Sequence, residues 1–276
     1  VFVKKVLGVS LDELGITLVN MRSTGFENIA LLFHDDRIKK TCAIITDLDS
    51  KFFDTTIQPT DLEPTKKKKN KAQGSHDKGA GRKVLLDAFC DGNDWVAPFY
   101  AEHTFEVDFV KAGNVNYLVE ILNDVYTKAS TIRDSRSDLL SNDIELSGSR
   151  ALTMANNQGK GWFAITLSKT INFNVKLPGY IEDALLFAHG SFNSRMLERI
   201  IDYRLTQIKA YILDRKAYLG SLNLPQDQDI YDRWNNYLTP IEQGLDIFTP
   251  KYLDYKTFGG NLSRLKSDML TDIPLI

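Results

Sequence analysis

The chain has 276 residues, of which 43% are hydrophobic and 25% are charged, and its formal net charge is -2. This balance is typical of a globular protein with one large or two small domains, and no apolar run approaches the roughly 20 residues of a membrane-spanning helix. Two cysteines are too few for a disulfide framework, and the four histidines are too scattered for a zinc site. We therefore expect a cytoplasmic protein with no membrane partner.

Residues 1–50 alternate between helix and strand patterns. The chain begins at Val1, within a helix pattern that has no N-cap and no starting Met, so we expect a fragment of a longer protein. A strand is predicted at 14–20, a helix at 26–33 and a second strand at 43–46. Both strands are nearly continuous apolar runs, which is typical of a parallel sheet covered by helices.

Residues 55–83 interrupt this pattern. The segment contains two prolines, several glycines and a run of four lysines without apolar periodicity, so we predict a mobile or disordered loop. Between Lys66 and Lys83, eight basic residues stand against one acidic residue. Such a run could neutralise DNA phosphates, and it could equally be a solvated tether. The residues predicted to bind DNA are Lys66, Lys67, Lys68, Lys69, Arg82 and Lys83.

Beyond this loop the alternation of strand and helix resumes. A strand is predicted at 95–100, and the chain is predicted to be mostly helical from about residue 159. Pro178 should break this helical part, and a long amphipathic stretch covers 184–218. The chain is therefore predicted to contain an α/β domain and then a mostly helical region, at residues 1–185 and 186–276.

Asp47 and Asp49 directly follow the strand predicted at 43–46. Residues two apart on an extended strand share one face and lie roughly 6–7 Å apart, so the two carboxylates could hold a divalent ion such as Mg²⁺. This arrangement predicts phosphoryl chemistry, although Asp is also a common turn-forming residue at strand ends. The D-x-D motif also occurs in haloacid-dehalogenase-type phosphatases and in some glycosyltransferases. The phosphatase pattern requires Thr at the fourth position after the first Asp, where this chain has Lys51.

Two further motifs carry candidate site residues. Glu106 and Asp108 follow the strand predicted at 95–100, where they could bind a metal ion or simply favour a solvated helix N-terminus. Lys160 lies between two glycines, without the pattern of a phosphate-binding P-loop. The glycines would let the backbone approach a ligand whose charge Lys160 stabilises, but a flexible helix start with a solvated lysine has the same pattern. His103, just before the acidic pair, is interpreted as incidental.

The order of these motifs resembles the TOPRIM half of the overcoming-lysogenisation-defect (OLD) family of nucleases. This ATPase-nuclease group includes Gabija-type and retron-associated anti-phage effectors. The resemblance covers residues 1–185 and rests on D-L-D at 47–49, T-F-E-V-D at 104–108 and G-K-G-W-F-A at 159–164. The first motif is shared by all TOPRIM domains, and the other two point more narrowly to the OLD group.

The resemblance implies a Rossmann-like α/β fold with a parallel sheet flanked by helices and acidic residues at the carboxyl ends of its strands. It also implies a DNA endonuclease that uses two divalent ions, Mg²⁺ or Mn²⁺. Asp47 and Asp49 would hold one ion, Glu106 with Asp108 would hold the second, and Lys160 would stabilise charge at the scissile phosphate. The implied partners are DNA, an ATPase domain of the same polypeptide, a second copy of the chain and other components of an anti-phage defence system.

One departure from the OLD pattern leaves other functions open. OLD proteins carry a V-E-G segment, whose Glu is a metal ligand or general base, just before the helix that begins here at Val1. This chain has no such Glu and no Walker A sequence. One alternative is a haloacid-dehalogenase-like phosphatase with Asp47 as its nucleophile. Another is a degenerate TOPRIM domain that serves as a binding or assembly module.

Overall fold

The first part of the chain forms short helices joined by turns. Helix α1 (Phe2–Leu7) and helix α2 (Glu27–Ala30), which continues into a 3₁₀ turn, confirm two predicted helices. The strand predicted at 14–20 is wrong, because these residues form a turn followed by irregular chain in which Leu18 and Val19 are exposed. An apolar run is stable as a strand only when a neighbouring strand pairs with it. The computed structural model describes residues 1–21, 25–34, 37–190, 194–236 and 238–239.

Two parallel strands form the sheet of the described residues, β1 (Cys42–Asp47) and β2 (Val96–Ala101). Both confirm predicted strands. The first residues of the two strands pair with each other, and so do the last, Asp47 and Ala101, so both strands end at the same edge. The fold class is therefore α/β with a parallel sheet, as predicted, and helices make up most of the described chain.

Helix α3 (Glu63–Cys90) connects the two strands and is 28 residues long. The mobile loop predicted at 55–83 is therefore wrong over most of its length. Pro64 lies in the first turn, where the helix does not use the missing N–H, and Lys, Ala, Gln and Arg all favour helix. The apolar residues are concentrated near the C-terminal end, so most of the segment has no periodicity that would reveal a helix.

The rest of the described chain is mainly helical, as predicted from about residue 159 onward. Pro178 precedes one of these helices, α10 (Gly179–His189), and Gly190 ends it, so the amphipathic stretch predicted over 184–218 is interrupted. The described residues do not include 191–193 of that stretch. They also leave out most of the helical region predicted beyond residue 236. None of the described helices is both long and apolar enough to cross a membrane. The helices are α4 (Phe105–Lys111), α5 (Val115–Glu120), α6 (Leu122–Val125), α7 (Ala129–Leu139), α8 (Ile144–Gln158), α9 (Lys160–Thr170), α10 (Gly179–His189) and α11 (Ser194–Gly220).

The main hydrophobic core joins helices from both ends of the described chain, and Val6, Met154 and Ile200 are among its buried residues. A smaller cluster, which includes Ile44 and Leu86, joins α2 and α3 to the sheet. Helix α10 packs against both strands, and α8 packs against α4, α7 and α9. The domain boundary placed near residue 185 falls within α10 and stays a prediction.

Gly8 marks the place where α11 packs on the start of the chain. It ends α1 with a φ of +72°, and a Cβ added there would lie 2.3 Å from the ring of Tyr203. Only glycine accepts both the left-handed backbone and the close approach of the ring. Nearby, the buried Arg204 donates hydrogen bonds to the carbonyl oxygens of Val6 (2.9 Å) and Phe173 (3.1 Å). Helix α11 is therefore fixed to the N-terminal part of the fold.

Candidate active site

The carboxyl ends of β1 and β2 lie side by side, with Asp47 opposite Ala101. Ligand sites in open α/β sheets lie at this edge. The turn that carries both aspartates is held to the segment before α4, because backbone hydrogen bonds continue beyond the strands. These bonds run from Leu48 N to Ala101 O (2.9 Å), from Asp49 N to His103 O (3.2 Å) and from Ser50 N to Glu102 O (2.9 Å).

Asp49 has a left-handed backbone conformation, with a φ of +51°, and no other non-glycine residue of the described chain has a positive φ. Asp tolerates this conformation better than most residues, because its short polar side chain can bond to nearby backbone. The extended strand therefore ends immediately after Asp47. The two carboxylates stay close neighbours in the turn, although they do not lie on one regular strand as the sequence predicts.

Helix α3 brings Arg82 to this turn. The guanidinium donates a hydrogen bond to the backbone carbonyl of Asp47 and lies 3.8 Å from a carboxylate oxygen of Asp49. One turn earlier, Gly79 packs so closely on the turn that an added Cβ would lie 1.9 Å from the carbonyl oxygen of Leu48. The sequence predicts Arg82 as a DNA-binding residue of a mobile loop, whereas the structure places it on a helix against the two aspartates.

Glu106 and Lys160 meet at the same edge. Glu106 lies in the first turn of α4 and is 5% exposed, while Lys160 begins α9 with a side chain that is 57% exposed. The ammonium of Lys160 lies 3.3 Å from a carboxylate oxygen of Glu106. The two motifs that carry these residues are distant in the sequence, so the fold brings a buried carboxylate and a surface cation together.

The charges of these side chains converge on Asp49. Burial and the negative charge of Asp47 raise the pKa of Asp49, with a smaller contribution from Glu106, while Arg82 and Lys160 act to lower it. The net shift is upward, which means that the surroundings disfavour a charged Asp49. A divalent cation would relieve this, and carboxylate oxygens are ligands that Mg²⁺ and Mn²⁺ accept. The donor set therefore fits the predicted ions.

The spacing of the carboxylates adds a condition to this fit. Asp47, Asp49 and Glu106 do not bring three ligand atoms within 4.8 Å of one another, and cationic side chains pair with Asp49 and Glu106 instead. Binding of an ion at this edge therefore requires some rearrangement of side chains. In the part of the chain that the structure describes, the group that does reach this spacing is Glu102, His103 and Asp108.

Asp108 has different neighbours from Glu106. The two residues are two apart on α4, which places them roughly 200° apart around the helix. One carboxylate oxygen of Asp108 accepts a hydrogen bond from the backbone N–H of His103 at 3.3 Å, and the other is buried without a hydrogen-bond partner. Burial raises the pKa of Asp108, and the hydrogen bond from His103 opposes this. The resemblance implies that Asp108 and Glu106 share one ion, whereas the structure groups Asp108 with Glu102 and His103.

Tyr180 joins the site from the first turn of α10. Burial and the negative charges of Asp108, Asp47 and Glu106 raise the pKa of its phenol. The hydroxyl can donate a hydrogen bond to an anion at this edge, since the phenol stays protonated at neutral pH. Helix α10 reaches this position because it packs against both strands.

The lysines predicted to bind DNA differ in their surroundings. Lys67 is exposed and has no acidic partner among the described residues, and the same is true of Lys71 and Lys78, which lie further along α3. Their role in binding DNA stays a prediction. The other lysines of the predicted set each have a partner within the chain: Lys66 with Glu63, Lys68 with the Phe53 ring, Lys69 with Asp61 and Lys83 with Asp87.

Sequence interpretation missed Glu102, His103 and Tyr180. The first two directly follow β2, and a position just beyond the carboxyl end of a parallel strand is the signal that could have identified them. His103 is interpreted from the sequence as incidental, yet its ring lies within the group of potential ligands. No local motif surrounds Tyr180, so only the packing of α10 reveals it.

The fold and this site define an α/β protein with acidic and basic side chains gathered at the carboxyl edge of a parallel sheet. No family model matches the sequence, and no curated protein shows a significant match. Among solved structures, the C-terminal region of the Burkholderia pseudomallei OLD protein is similar, with a TM-score of 0.45 and 20% identity, over 68% of this chain and 87% of that chain. The C-terminal region of the Xanthomonas campestris pv. campestris OLD protein has a TM-score of 0.44 and 18% identity, over 68% and 86%.

Proposed function

We propose that this chain is the nuclease region of an OLD-type protein and that it hydrolyses DNA phosphodiester bonds with the help of two divalent ions. The observation that carries the proposal is the convergence of the charges of Asp47, Asp49, Glu106 and Lys160 at one edge of the sheet. These residues come from three motifs that are distant in the sequence. Carboxylates that hold cations, next to a lysine that holds an anion, are suited to a phosphodiester substrate.

The carboxylates would hold the ions, Mg²⁺ or Mn²⁺, which supply Lewis-acid activation of the attacking water and of the scissile phosphate. Asp47 and Asp49 would hold one ion, and Glu106 would hold the second. Arg82 would keep the aspartate turn in position, since it binds the backbone of Asp47 as well as the side chain of Asp49.

Lys160 could exchange its present partner, the carboxylate of Glu106, for a phosphate oxygen of the substrate. Its side chain is largely exposed and its ammonium lies 3.3 Å from Glu106, so a small rotation carries it toward a substrate at the edge of the sheet. A phosphate oxygen that binds Lys160 would free the carboxylate of Glu106 for an ion. Lys160 would then stabilise the negative charge that grows on the phosphate in the transition state.

DNA would reach this edge along α3. Lys67, Lys71 and Lys78 are exposed, and at 100° per residue they lie within about 40° of one another around the helix. Arg82 lies roughly 60° from Lys67 by the same measure, on the side that contacts Asp49. A row of lysines that leads to the acidic turn is suited to a phosphate backbone and needs no particular base sequence.

The wider role in this proposal rests on the motif order. The chain would act with an ATPase domain of the same polypeptide, as a homo-oligomer in the cytoplasm, and with other components of an anti-phage defence system. An OLD-type protein would use the ATPase domain to control when the nuclease acts.

Plasmid cleavage in Mg²⁺ or Mn²⁺ tests the proposed function. Supercoiled DNA should be nicked or linearised, and Asp47→Ala and Lys160→Ala should each lower the rate about 100-fold or more. Asp94→Ala, at an exposed carboxylate before β2, is the control and should leave the rate unchanged. Cleavage that survives Asp47→Ala would contradict the proposal, because the chemistry would then not depend on this turn.

Phosphoenzyme trapping and binding assays on the same protein distinguish the proposal from its two alternatives. A haloacid-dehalogenase-like phosphatase would form a covalent phosphoryl group on Asp47 and release phosphate from small esters. A binding or assembly module would bind DNA, or other copies of itself, equally well in the Asp47→Ala variant and without divalent ions. A trapped phosphoenzyme favours the first alternative, and binding without cleavage in every ion favours the second.

A further inference from the structure

A second group of ligand-type side chains lies beside the candidate active site. Ligand atoms of Glu102, His103 and Asp108 all lie within 4.8 Å of one another, in the segment that joins β2 to α4. His103 is 5% exposed and Asp108 is 8% exposed, whereas Glu102 extends into solvent. We propose that these three residues, called here the accessory site, bind one divalent transition-metal ion, Zn²⁺ or Mn²⁺, separately from the ions of the proposed nuclease reaction.

The ring of His103 is oriented as in metal-binding histidines. Its Nδ1 lies 2.7 Å from the backbone carbonyl oxygen of Ser50. A carbonyl oxygen can only accept, so Nδ1 carries the proton and donates it, which leaves the lone pair of Nε2 for a cation. The Nε2 atom lies 3.8 Å from a carboxylate oxygen of Glu102. An ion with ligand distances of about 2.0–2.2 Å fits between these two atoms.

Asp108 contributes a buried oxygen that has no hydrogen-bond partner. Its Oδ2 accepts the backbone N–H of His103, while Oδ1 is buried and accepts no hydrogen bond of normal geometry, although the backbone N–H of Glu102 also acts on this carboxylate. A buried carboxylate oxygen without a donor is unfavourable, and a bound cation removes that cost. This oxygen distinguishes the accessory site from a surface cluster of acidic residues, in which water satisfies every oxygen.

Lys111 already places a positive charge at the accessory site. Its ammonium donates a hydrogen bond to Glu102 and lies 3.3 Å from Nε2 of His103. It belongs to the last turn of α4, and its side chain is 38% exposed, so it can withdraw into solvent. An ion and Lys111 would therefore compete for the same two side chains, Glu102 and His103, and removal of Lys111 should strengthen ion binding.

The types of ligand atom at the accessory site determine which ion binds best. One imidazole nitrogen and two carboxylates suit Zn²⁺ or Mn²⁺, whereas Mg²⁺ prefers oxygen ligands and water. The accessory site should therefore discriminate against Mg²⁺ more strongly than an all-carboxylate site does.

A bound ion would also stiffen the turn that carries Asp49. The Nδ1–H of His103 binds the carbonyl of Ser50, and the carbonyl oxygens of His103 and Glu102 accept the backbone N–H groups of Asp49 and Ser50. An effect of this ion on cleavage rests on the proposed function. Binding of the ion to the accessory site does not depend on the proposed function.

Calorimetric titration of the chain with ZnCl₂, MnCl₂ and MgCl₂ tests the accessory site. A background that carries Asp47→Asn and Glu106→Gln removes charge from the nuclease site, so the result does not depend on the proposed function. In this background we expect one Zn²⁺ or Mn²⁺ to bind, with an affinity that His103→Ala lowers about tenfold or more and Lys111→Met raises. Mg²⁺ should bind far more weakly.

His189→Ala is the matched control. Nδ1 of His189 also lies 2.8 Å from a backbone carbonyl oxygen, that of Leu14, but His189 belongs to no group of three close ligands in the described chain. Its substitution should leave the affinity unchanged. The melting temperature gives a second readout, since Zn²⁺ should raise it in the background protein and not after His103→Ala.

Two results would overturn the accessory site. One is the absence of Zn²⁺ and Mn²⁺ binding in the background protein. The other is an affinity that neither His103→Ala nor Lys111→Met changes. Because Lys111 is partly exposed, Lys111→Met tests the site even if His103→Ala fails to fold.

Discussion

The guanidinium of Arg82 lies 3.8 Å from a carboxylate oxygen of Asp49, although one residue belongs to α3 and the other to the turn after β1. The same guanidinium donates a hydrogen bond to the backbone carbonyl of Asp47. The side chain of Arg82 is 16% exposed, so solvent screens this interaction less than it screens a surface ion pair. Arg82 therefore holds both the backbone of Asp47 and the side chain of Asp49.

Replacement of Arg82 should reduce cleavage. In Arg82→Lys, a single ammonium cannot reach both the carbonyl of Asp47 and the carboxylate of Asp49, so we expect a loss of about tenfold to 100-fold in rate. The measurement is the plasmid cleavage rate as a function of Mg²⁺ concentration. The exposed Arg133 of α7, which pairs with Asp134, provides the control variant Arg133→Ala. A wild-type rate in Arg82→Lys and also in Arg82→Ala would contradict the positioning role.

Substitution of Gly79 should destabilise the protein. In Gly79→Ala the added Cβ would lie 1.9 Å from the carbonyl oxygen of Leu48, so α3 or the aspartate turn must move, at a cost of about 1–3 kcal/mol. Urea unfolding measures this cost. Gly81→Ala on the same helix is the matched control, since open space surrounds its Cβ position, and it should stabilise by roughly 0.4–1 kcal/mol. Equal effects of the two substitutions would argue against close packing of α3 on the turn.

Removal of the exposed lysines of α3 should weaken DNA binding in a salt-dependent way. The triple variant of Lys67, Lys71 and Lys78 to Ala loses three candidate phosphate contacts. The negative slope of log affinity against log salt should become less steep by about 2.7, which is 0.9 for each contact. Fluorescence anisotropy with a labelled duplex at several salt concentrations measures the slope.

The control for this experiment uses lysines of the same helix that have acidic partners. Lys66 lies 3.2 Å from Glu63, and Lys83 pairs with Asp87. The double variant of Lys66 and Lys83 to Ala should change the slope much less than the triple variant does. A similar change in both would mean that net charge, and not the exposed row, determines affinity.

Glu13 should make stability depend on pH in the acid range. Its carboxylate accepts hydrogen bonds from the backbone N–H and the hydroxyl of Ser10 and pairs with Arg199, and these contacts lower its pKa from 4.5 to about 2. The folded state thus favours the charged form. The resulting stability is present above pH 4.5 and is lost as the pH falls toward 2.

Glu13→Gln tests this dependence. The variant should have a lower free energy of unfolding than the wild type at pH 7, and the difference should shrink as the pH falls from 4.5 to about 2. Chemical denaturation across that range is the measurement. The neighbouring Asp12→Asn controls for the loss of one negative charge from the same turn. A difference that is constant with pH would show that Glu13 acts through something other than its charge.

Local sequence patterns predict some elements well and others poorly. The strands β1 and β2 were predictable because each is a short apolar run with a clear end, and the two aspartates mark the end of the first. Helix α3 was not predictable in this way, because lysines and glycines dominate it and an apolar face exists only near Leu86 and Cys90. The opposite error occurred at 14–20, where a strand was predicted and the structure has none. High β propensity does not make a strand when no neighbouring strand pairs with the segment.

The sequence by itself determined the fold class and the positions of the acidic and G-K-G motifs, because apolar runs and their ends are local properties of the chain. Only the tertiary structure decided which charges meet. Arg82 contacts Asp49, and Lys160 contacts Glu106, through the packing of α3 and α9 around the sheet and core. The grouping of Asp108 with His103 likewise follows from the turn that leads from β2 into α4. Such contacts depend on how distant helices pack, and no local pattern contains that information.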